Sequence, residues 1–139
     1  MPFERPPEPW HPFFVDLDAA VDEPIELHCL GGFVMALLYG MPRLTGDVDF
    51  LSIVPHHKIA TLQTLAGRGS RLHQTHGVFA HHVGVVTAPE NYLERQIEMF
   101  PSVYRRLRIF GLEAHDLALS KLERNAARDL EDVKYRPSV

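Results

Sequence analysis

The sequence contains one cysteine, no excess of basic residues and no long hydrophobic run. Cys29 cannot form an internal disulfide, and its position inside an apolar stretch indicates an ordinary buried thiol. A net charge of −4 argues against a protein that binds nucleic acid over its whole surface, although a local basic site is compatible with it. Because the chain opens without a leader peptide and lacks an apolar run of membrane-spanning length, we expect a cytoplasmic protein without membrane contact.

Prolines are concentrated at the start of the chain. Five of the eleven prolines fall within residues 1–12, which predicts an extended arm rather than a helix or a central strand. The remaining residues, 13–139, have the length of a single globular domain with a sizeable core. Hydrophobic residues at 45% and charged residues at 23% are ordinary values for such a domain.

The spacing of apolar residues predicts helices that alternate with strands. Strands are predicted at 25–30, 47–54, 78–87 and 105–111. Helices are predicted at 13–21, 33–39, 56–66, 87–100 and 113–135, with a polar loop at 68–77 and Gly40 as a left-handed helix cap. The predicted fold class is therefore α/β (α+β), with a mixed sheet of about four strands flanked by helices.

A glycine pair follows the first predicted strand. At Gly31 and Gly32 the backbone can approach a ligand closely because neither residue carries a side chain. The N–H groups at the start of the next helix could then receive a phosphate. A glycine pair alone is more often a simple turn, so its significance depends on what lies near it.

An aspartate pair begins the second predicted strand. Asp47 and Asp49 are two residues apart, so their side chains project from one face, with Val48, Phe50 and Val54 expected on the other. Neighbouring carboxylates repel each other unless a cation lies between them, and their oxygens suit Mg²⁺ or Mn²⁺. A phosphate-binding turn facing a metal-binding acid pair predicts phosphoryl or nucleotidyl transfer.

The pattern Gly-Gly, helix, Arg-x-Thr-x-Asp-x-Asp resembles the minimal nucleotidyltransferases of the DNA polymerase β superfamily. It is most similar to the branch that contains the AbiEii-type toxins. The residues that carry the resemblance are Gly31, Gly32, Arg43, Thr45, Asp47 and Asp49. The resemblance implies a nucleotidyltransferase-like domain that uses a nucleoside triphosphate and Mg²⁺ or Mn²⁺. The acceptor it implies is an RNA end, such as that of a tRNA, or a protein side chain. The biological role it implies is one component of a toxin–antitoxin pair.

Arg43 and Thr45 have structural alternatives. Arg43 could clamp a phosphate, or it could pair with an acid such as Asp47 and hold the loop. Thr45 could contact the nucleotide, although a hydrogen bond to the loop backbone is the commoner use of threonine in such a position.

A second candidate group lies on the last predicted helix. Lys121, Arg124 and Arg128 share one face, which is equally consistent with a solvated basic surface. The segment around them is similar to the C-terminal signature of the AbiEii-like branch. This likeness implies that Lys121 contacts the triphosphate and that Asp129 orients Lys121 or the fold around it. Arg124, on the same face, is a further candidate for nucleotide binding. Asp129 could instead cap a last helical turn.

The third carboxylate that the superfamily commonly adds is missing from the third predicted strand. Gly84 stands where we would expect it, and His82 on the same face could substitute as a base or ligand. The loss also allows a second hypothesis, a catalytically degenerate module that binds nucleotide or a partner protein.

A third hypothesis is a metal hydrolase built on His73, His76, His81 and His82, although no standard zinc-binding spacing supports it. Arg105, Arg106 and Arg108 could meet an RNA backbone or form a solvated strand edge.

Overall fold

The computed structural model describes residues 4–40, 46–83, 92–114, 116 and 118. Its helices are α1 (Trp10–Ala20), α2 (Gly31–Leu37), a 3-10 helix (His56–Lys58), α3 (Ile59–Ala66), α4 (Arg71–His76) and α5 (Tyr92–Arg95). Its strands are β1 (Ile25–Leu30), β2 (Asp47–Val54), β3 (Phe79–His82), β4 (Ile97–Met99) and β5 (Leu107–Gly111). No helix within the described part of the chain is long and apolar enough to cross a membrane.

The five strands form one mixed sheet in the order β3-β2-β1-β5-β4. The pairs β1–β2 and β4–β5 are antiparallel, whereas β1–β5 and β2–β3 are parallel. This sheet with its flanking helices confirms the predicted α+β class and is consistent with a nucleotidyltransferase-like fold. Within the described residues the sheet contains five strands, where we predicted about four.

Helix α1 covers one face of the sheet through a buried apolar stripe. Its buried residues follow the helical spacing i, i+3, i+4 and i+7, namely Trp10, Phe13, Phe14 and Leu17. Phe33 of α2 packs edge-on against two of them, with ring centroids 5.1 Å from Trp10 and 5.7 Å from Phe14. The helix begins three residues before its predicted start. Pro12 is tolerated there because N–H groups of the first turn have no partner within the helix.

Two predictions outside the central strands are wrong. The predicted polar loop at 68–77 contains α4, which Ser70 caps by accepting a hydrogen bond from the backbone N–H of His73. The predicted helix at 87–100 is, in its described part, the short α5 followed by β4. Pairing of β4 with β5 buries Met99, and this tertiary contact overrides the local helical pattern.

The strand that carries the aspartates contains a β-bulge. Cys29 pairs with Phe50 but His28 pairs with Ser52, so Leu51 is an extra residue in β2. The bulge inverts the alternation, and Val54 is therefore 46% exposed instead of buried with Val48 and Phe50 as we predicted. Gly40 has the predicted left-handed conformation with φ +69, although α2 ends earlier, at Leu37.

Candidate functional site

Asp47 and Asp49 lie on one face at the start of β2. Their side chains are 33% and 13% exposed, respectively. The residues between and after them, Val48 and Phe50, are fully buried on the other face. This burial fixes the strand, because rotating it would bring both carboxylates into the core.

Gly31 contacts Asp49 directly. Leu30, the last residue of β1, pairs with Asp49 across the ladder, so the chain enters α2 beside the carboxylate. Gly31 has φ +78, which side-chain-bearing residues rarely adopt, and a Cβ there would lie 2.8 Å from Oδ2 of Asp49. Gly32 follows in the first turn of α2. One member of the glycine pair and one member of the aspartate pair, Gly31 and Asp49, therefore lie side by side in the fold.

His81 completes a cluster with the two aspartates. Strands β2 and β3 are parallel, and Asp49 pairs with His81 in their register. Nδ1 of His81 lies 3.3 Å from Oδ1 of Asp49 and 4.0 Å from Oδ2 of Asp47. One ligand atom from each of the three residues lies within 4.8 Å of the others. The imidazole is 55% exposed, so the cluster opens to solvent.

The structure places His82 away from the aspartates. Its ring stacks on Phe50, with centroids 5.2 Å apart and an interplanar angle of 26°. Because neighbouring residues of a strand point to opposite faces, His81 and His82 cannot both reach the aspartates. The position that we expected His82 to fill is therefore filled by His81. Sequence alone did not reveal this because the register of two parallel strands is not encoded locally.

The cluster has the donors and the spacing to hold a divalent cation. Neighbouring ligands of an octahedral ion with bonds near 2.1 Å lie about 3 Å apart, and opposite ligands lie about 4 Å apart. The distances of 3.3 and 4.0 Å from His81 to the carboxylates fall in this range. Two carboxylate oxygens and one imidazole nitrogen are common ligands of divalent metals. Asp47, Asp49 and His81, whose ligand atoms lie within 4.8 Å of one another, could therefore hold a single cation.

Cys29 lies beneath this site without taking part in it. The residue is 1% exposed, and its Sγ points to the carbonyl oxygen of Leu27 at 3.8 Å. Burial raises the pKa of the Cys29 thiol, with a smaller contribution from the charge of Asp49. The thiol is therefore neutral, as we predicted for a buried cysteine, and it offers no thiolate ligand.

The same sheet face carries a buried histidine that sequence reasoning missed. His28 is 1% exposed and lies two residues before Leu30 on β1. Its Nδ1 is 3.4 Å from the Tyr92 hydroxyl and its Nε2 is 3.5 Å from Oε1 of Glu26. Burial lowers the pKa of His28 despite the opposing effect of Glu26. A histidine in an apolar strand was the only signal for it.

The remaining histidines do not form the metal site of the hydrolase hypothesis. Nδ1 of His73 accepts a hydrogen bond from the backbone N–H of Gly69 at 2.9 Å. Nε2 of His76 lies 2.6 Å from Oδ2 of Asp16. Since His73 and His76 are bound to separate partners, only His81 of the four joins the aspartates.

The predicted basic patch is partly neutralised. Arg108 forms hydrogen bonds of 3.2 Å to both carboxylate oxygens of Glu98 and lies 3.5 Å from Glu26. Arg106 donates to the carbonyl oxygen of Val21 at 3.1 Å. The side chains of Arg106 and Arg108 are thus engaged within the protein, which favours the interpretation as a strand edge over an RNA-binding patch.

Several predicted site residues lie outside the described part of the chain. They are Arg43, Thr45, Gly84, Lys121, Arg124 and Asp129. Their roles remain predictions of the sequence. The segment that leads toward Lys121 begins in the described region, where Asp116 is buried and its carboxylate accepts two hydrogen bonds of 2.9 Å from Arg95.

Comparison with known families accounts for nearly the whole chain. The model of a family described as "Nucleotidyltransferase of unknown function (DUF6036)" matches residues 15–137. Comparisons with curated proteins and with solved structures give no match. The matched region contains the glycine pair, both aspartates and His81. The chain therefore belongs to this nucleotidyltransferase family, and membership implies a nucleoside triphosphate as its substrate.

Proposed function

We propose that this protein transfers a nucleoside monophosphate from a nucleoside triphosphate to an acceptor hydroxyl, with Mg²⁺ or Mn²⁺ held by Asp47 and Asp49. The observation that carries the proposal is the contact between Gly31 and Asp49, where a Cβ would lie 2.8 Å from the carboxylate. The half-buried backbone that would receive phosphates therefore lies beside one of the acids that would hold the cation. Membership of a nucleotidyltransferase family supports the reaction class.

Each residue of the site has a part in this proposal. Asp47 and Asp49 hold the cation, and the backbone at Gly31 and Gly32 approaches the phosphates. When bound, the cation would neutralise charge on the triphosphate and on the departing pyrophosphate. The acceptor oxygen bonds to the α-phosphorus, the bond to the β-phosphate oxygen breaks, and the hydroxyl proton passes to water. Lys121 would offset the charge that builds on the phosphate oxygens.

The other residues of the sequence motifs have supporting parts. Arg43 and Arg124 would contact the phosphates, Thr45 would shape the loop before Asp47, and Asp129 would orient Lys121. These assignments, like the catalytic part of Lys121, rest on the resemblance to the AbiEii-like branch. The same resemblance supports an RNA end or a protein side chain as the acceptor and a cognate antitoxin or toxin partner. The single cysteine suits a cytoplasmic location.

A label-transfer assay tests the proposal. The purified protein is incubated with each α-labelled triphosphate, Mg²⁺ or Mn²⁺, and either total RNA or cell lysate. We expect labelled RNA or protein with the wild type and none with Asp47→Asn or Asp49→Asn. Asp22→Asn serves as the control, because Asp22 is 81% exposed and pairs with Lys58 rather than with the site. Transfer that survives the double substitution at positions 47 and 49 would overturn the assignment.

A second candidate function is a nucleotide-binding module without turnover. His81 rather than a carboxylate pairs with Asp49 in the described part of β3, and this observation favours the module. Nucleotide binding that depends on Asp49, together with an absence of label transfer to any acceptor, would support it over the transferase.

A further inference from the structure

We propose that His81 is the third protein ligand of the cation at Asp47 and Asp49, and that its imidazole makes the site prefer Mn²⁺ to Mg²⁺. This inference rests on the proposed function in one respect, that the two aspartates bind a divalent cation. It assigns an additional residue and a metal preference that the aspartate pair alone does not specify.

The sheet places the imidazole where a ligand is needed. In the parallel ladder of β2 and β3, His81 stands beside Asp49, and Nδ1 is within 4.0 Å of one oxygen from each aspartate. The side of Asp49 that faces α2 is occupied by the backbone of Gly31. Strand β3 lies on the other side of β2 from β1, and its register with β2 holds His81 beside Asp49. The imidazole therefore approaches the carboxylates from the β3 side.

The donor set differs from an all-carboxylate site in its chemistry. Mg²⁺ takes oxygen ligands almost exclusively, keeps several waters and dehydrates reluctantly. Mn²⁺ accepts carboxylates, and imidazole nitrogen is a good ligand for first-row transition metals. Replacing one carboxylate by a neutral imidazole also removes a negative charge, which weakens the electrostatic attraction for Mg²⁺ without a compensating bond. The cluster of Asp47, Asp49 and His81 therefore favours Mn²⁺.

The binding of the metal ion alone provides the test, without reference to activity. Tag-free protein is titrated with MnCl₂ while the free ion is followed by electron paramagnetic resonance, and Mg²⁺ affinity is measured by competition. Pulsed measurements on the Mn²⁺-loaded protein then detect a coordinated ¹⁴N nucleus. We expect tighter binding of Mn²⁺ than of Mg²⁺ and a nitrogen coupling in the wild type.

Three variants assign the nitrogen. His81→Ala should abolish the coupling and lower Mn²⁺ affinity by at least about tenfold, while Mg²⁺ affinity changes little. His81→Asp should abolish the coupling and shift the preference toward Mg²⁺. His82→Ala, the neighbour whose ring stacks on Phe50, should retain both the coupling and the affinity. Thermal unfolding of each variant confirms that it is folded before its affinity is interpreted.

The failure of this inference is distinguishable from the failure of the proposed function. If Mn²⁺ binding disappears in Asp47→Asn and Asp49→Asn but the nitrogen coupling is absent from the wild type or survives His81→Ala, only the ligand assignment is overturned. If Mn²⁺ binding is unchanged in both aspartate variants, the metal site of the proposed function is overturned as well.

Discussion

The carboxylate of Asp49 occupies the space that a side chain at position 31 would need. A Cβ on Gly31 would lie 2.8 Å from Oδ2 of Asp49 and 3.5 Å from its Cβ and Cγ. Gly31 also has φ +78, so glycine is required there for both its conformation and its size. This contact joins the two halves of the sequence motif, which are separated along the chain by α2 and the loop after it.

Gly31→Ala should therefore weaken metal binding at the site, in addition to the stability that is lost through backbone strain. Gly40 provides a matched control, since it has φ +69 and no atom within 4 Å of an added Cβ. Both substitutions should lower the free energy of unfolding by about 1–2 kcal/mol from the left-handed conformation. Only Gly31→Ala should also weaken Mn²⁺ binding and label transfer, because it displaces the Asp49 carboxylate. Equal effects of the two variants on metal binding would contradict this account.

The pair Arg95 and Asp116 should stabilise the fold by joining α5 to the chain after β5. Asp116 is 1% exposed, and Arg95 binds both of its oxygens at 2.9 Å. Arg95→Met leaves the buried carboxylate without this partner and should lower the free energy of unfolding by about 2–3 kcal/mol. The double variant Arg95→Met/Asp116→Leu should recover much of the loss, as measured by urea unfolding.

An exposed pair of similar geometry serves as its control. Arg108 also contacts both carboxylate oxygens of its partner, Glu98, at 3.2 Å, but Arg108 is 51% exposed. Arg108→Met should cost much less than Arg95→Met, because water replaces the lost contact. A cost for Arg108→Met as large as that for Arg95→Met would show that burial of Asp116 is not the cause.

His28 should make the protein less stable as the pH falls. Its pKa is lowered in the folded state by burial, so the unfolded chain binds more protons once the pH drops through the ordinary histidine pKa of about 6.5. Stability conferred by neutral His28 is complete above that pH and decreases below it until the folded pKa is reached. His28→Gln should flatten the decrease, by up to about 1.4 kcal/mol per pH unit, in unfolding measurements from pH 8 to pH 5.

His57→Gln is the matched control for the loss of an imidazole as such. The His57 side chain is 73% exposed and lies 3.8 Å from Glu23, in contrast to the buried His28. An unchanged slope in His28→Gln would indicate that the imidazole is protonated at the same pH in the folded and unfolded states.

The central strands were predictable because their apolar runs are bounded by clear turn residues. The predicted strands at 25–30 and 47–54 agree with β1 and β2. The placement of Asp47 and Asp49 on one face of β2 follows from the strand period alone. The three residues of β4 were not predictable, since they follow directly on a helix and become a strand only by pairing with β5. The bulge at Leu51 is also a property of the pairing, not of the β2 sequence.

The site was predictable to the extent that it depends on one segment of chain. Gly31 and Asp49 lie within one strand, helix and strand unit, so their proximity could be inferred from the motif. His81 could not be selected over His82, because one residue of shift between β2 and β3 exchanges the face on which each imidazole lies. Long-range register therefore determined the part of the site that the sequence left open.

The most direct measurement compares the fate of a label placed at two positions of the same triphosphate. In the presence of Mn²⁺ and an RNA or protein acceptor, the account predicts that label from the α-phosphate enters the acceptor, that label from the γ-phosphate does not, and that Asp47→Asn/Asp49→Asn abolishes the transfer. Transfer of the γ-label, or transfer of the α-label that persists without both aspartates, would contradict the claim that this pair of acids serves nucleotidyl transfer.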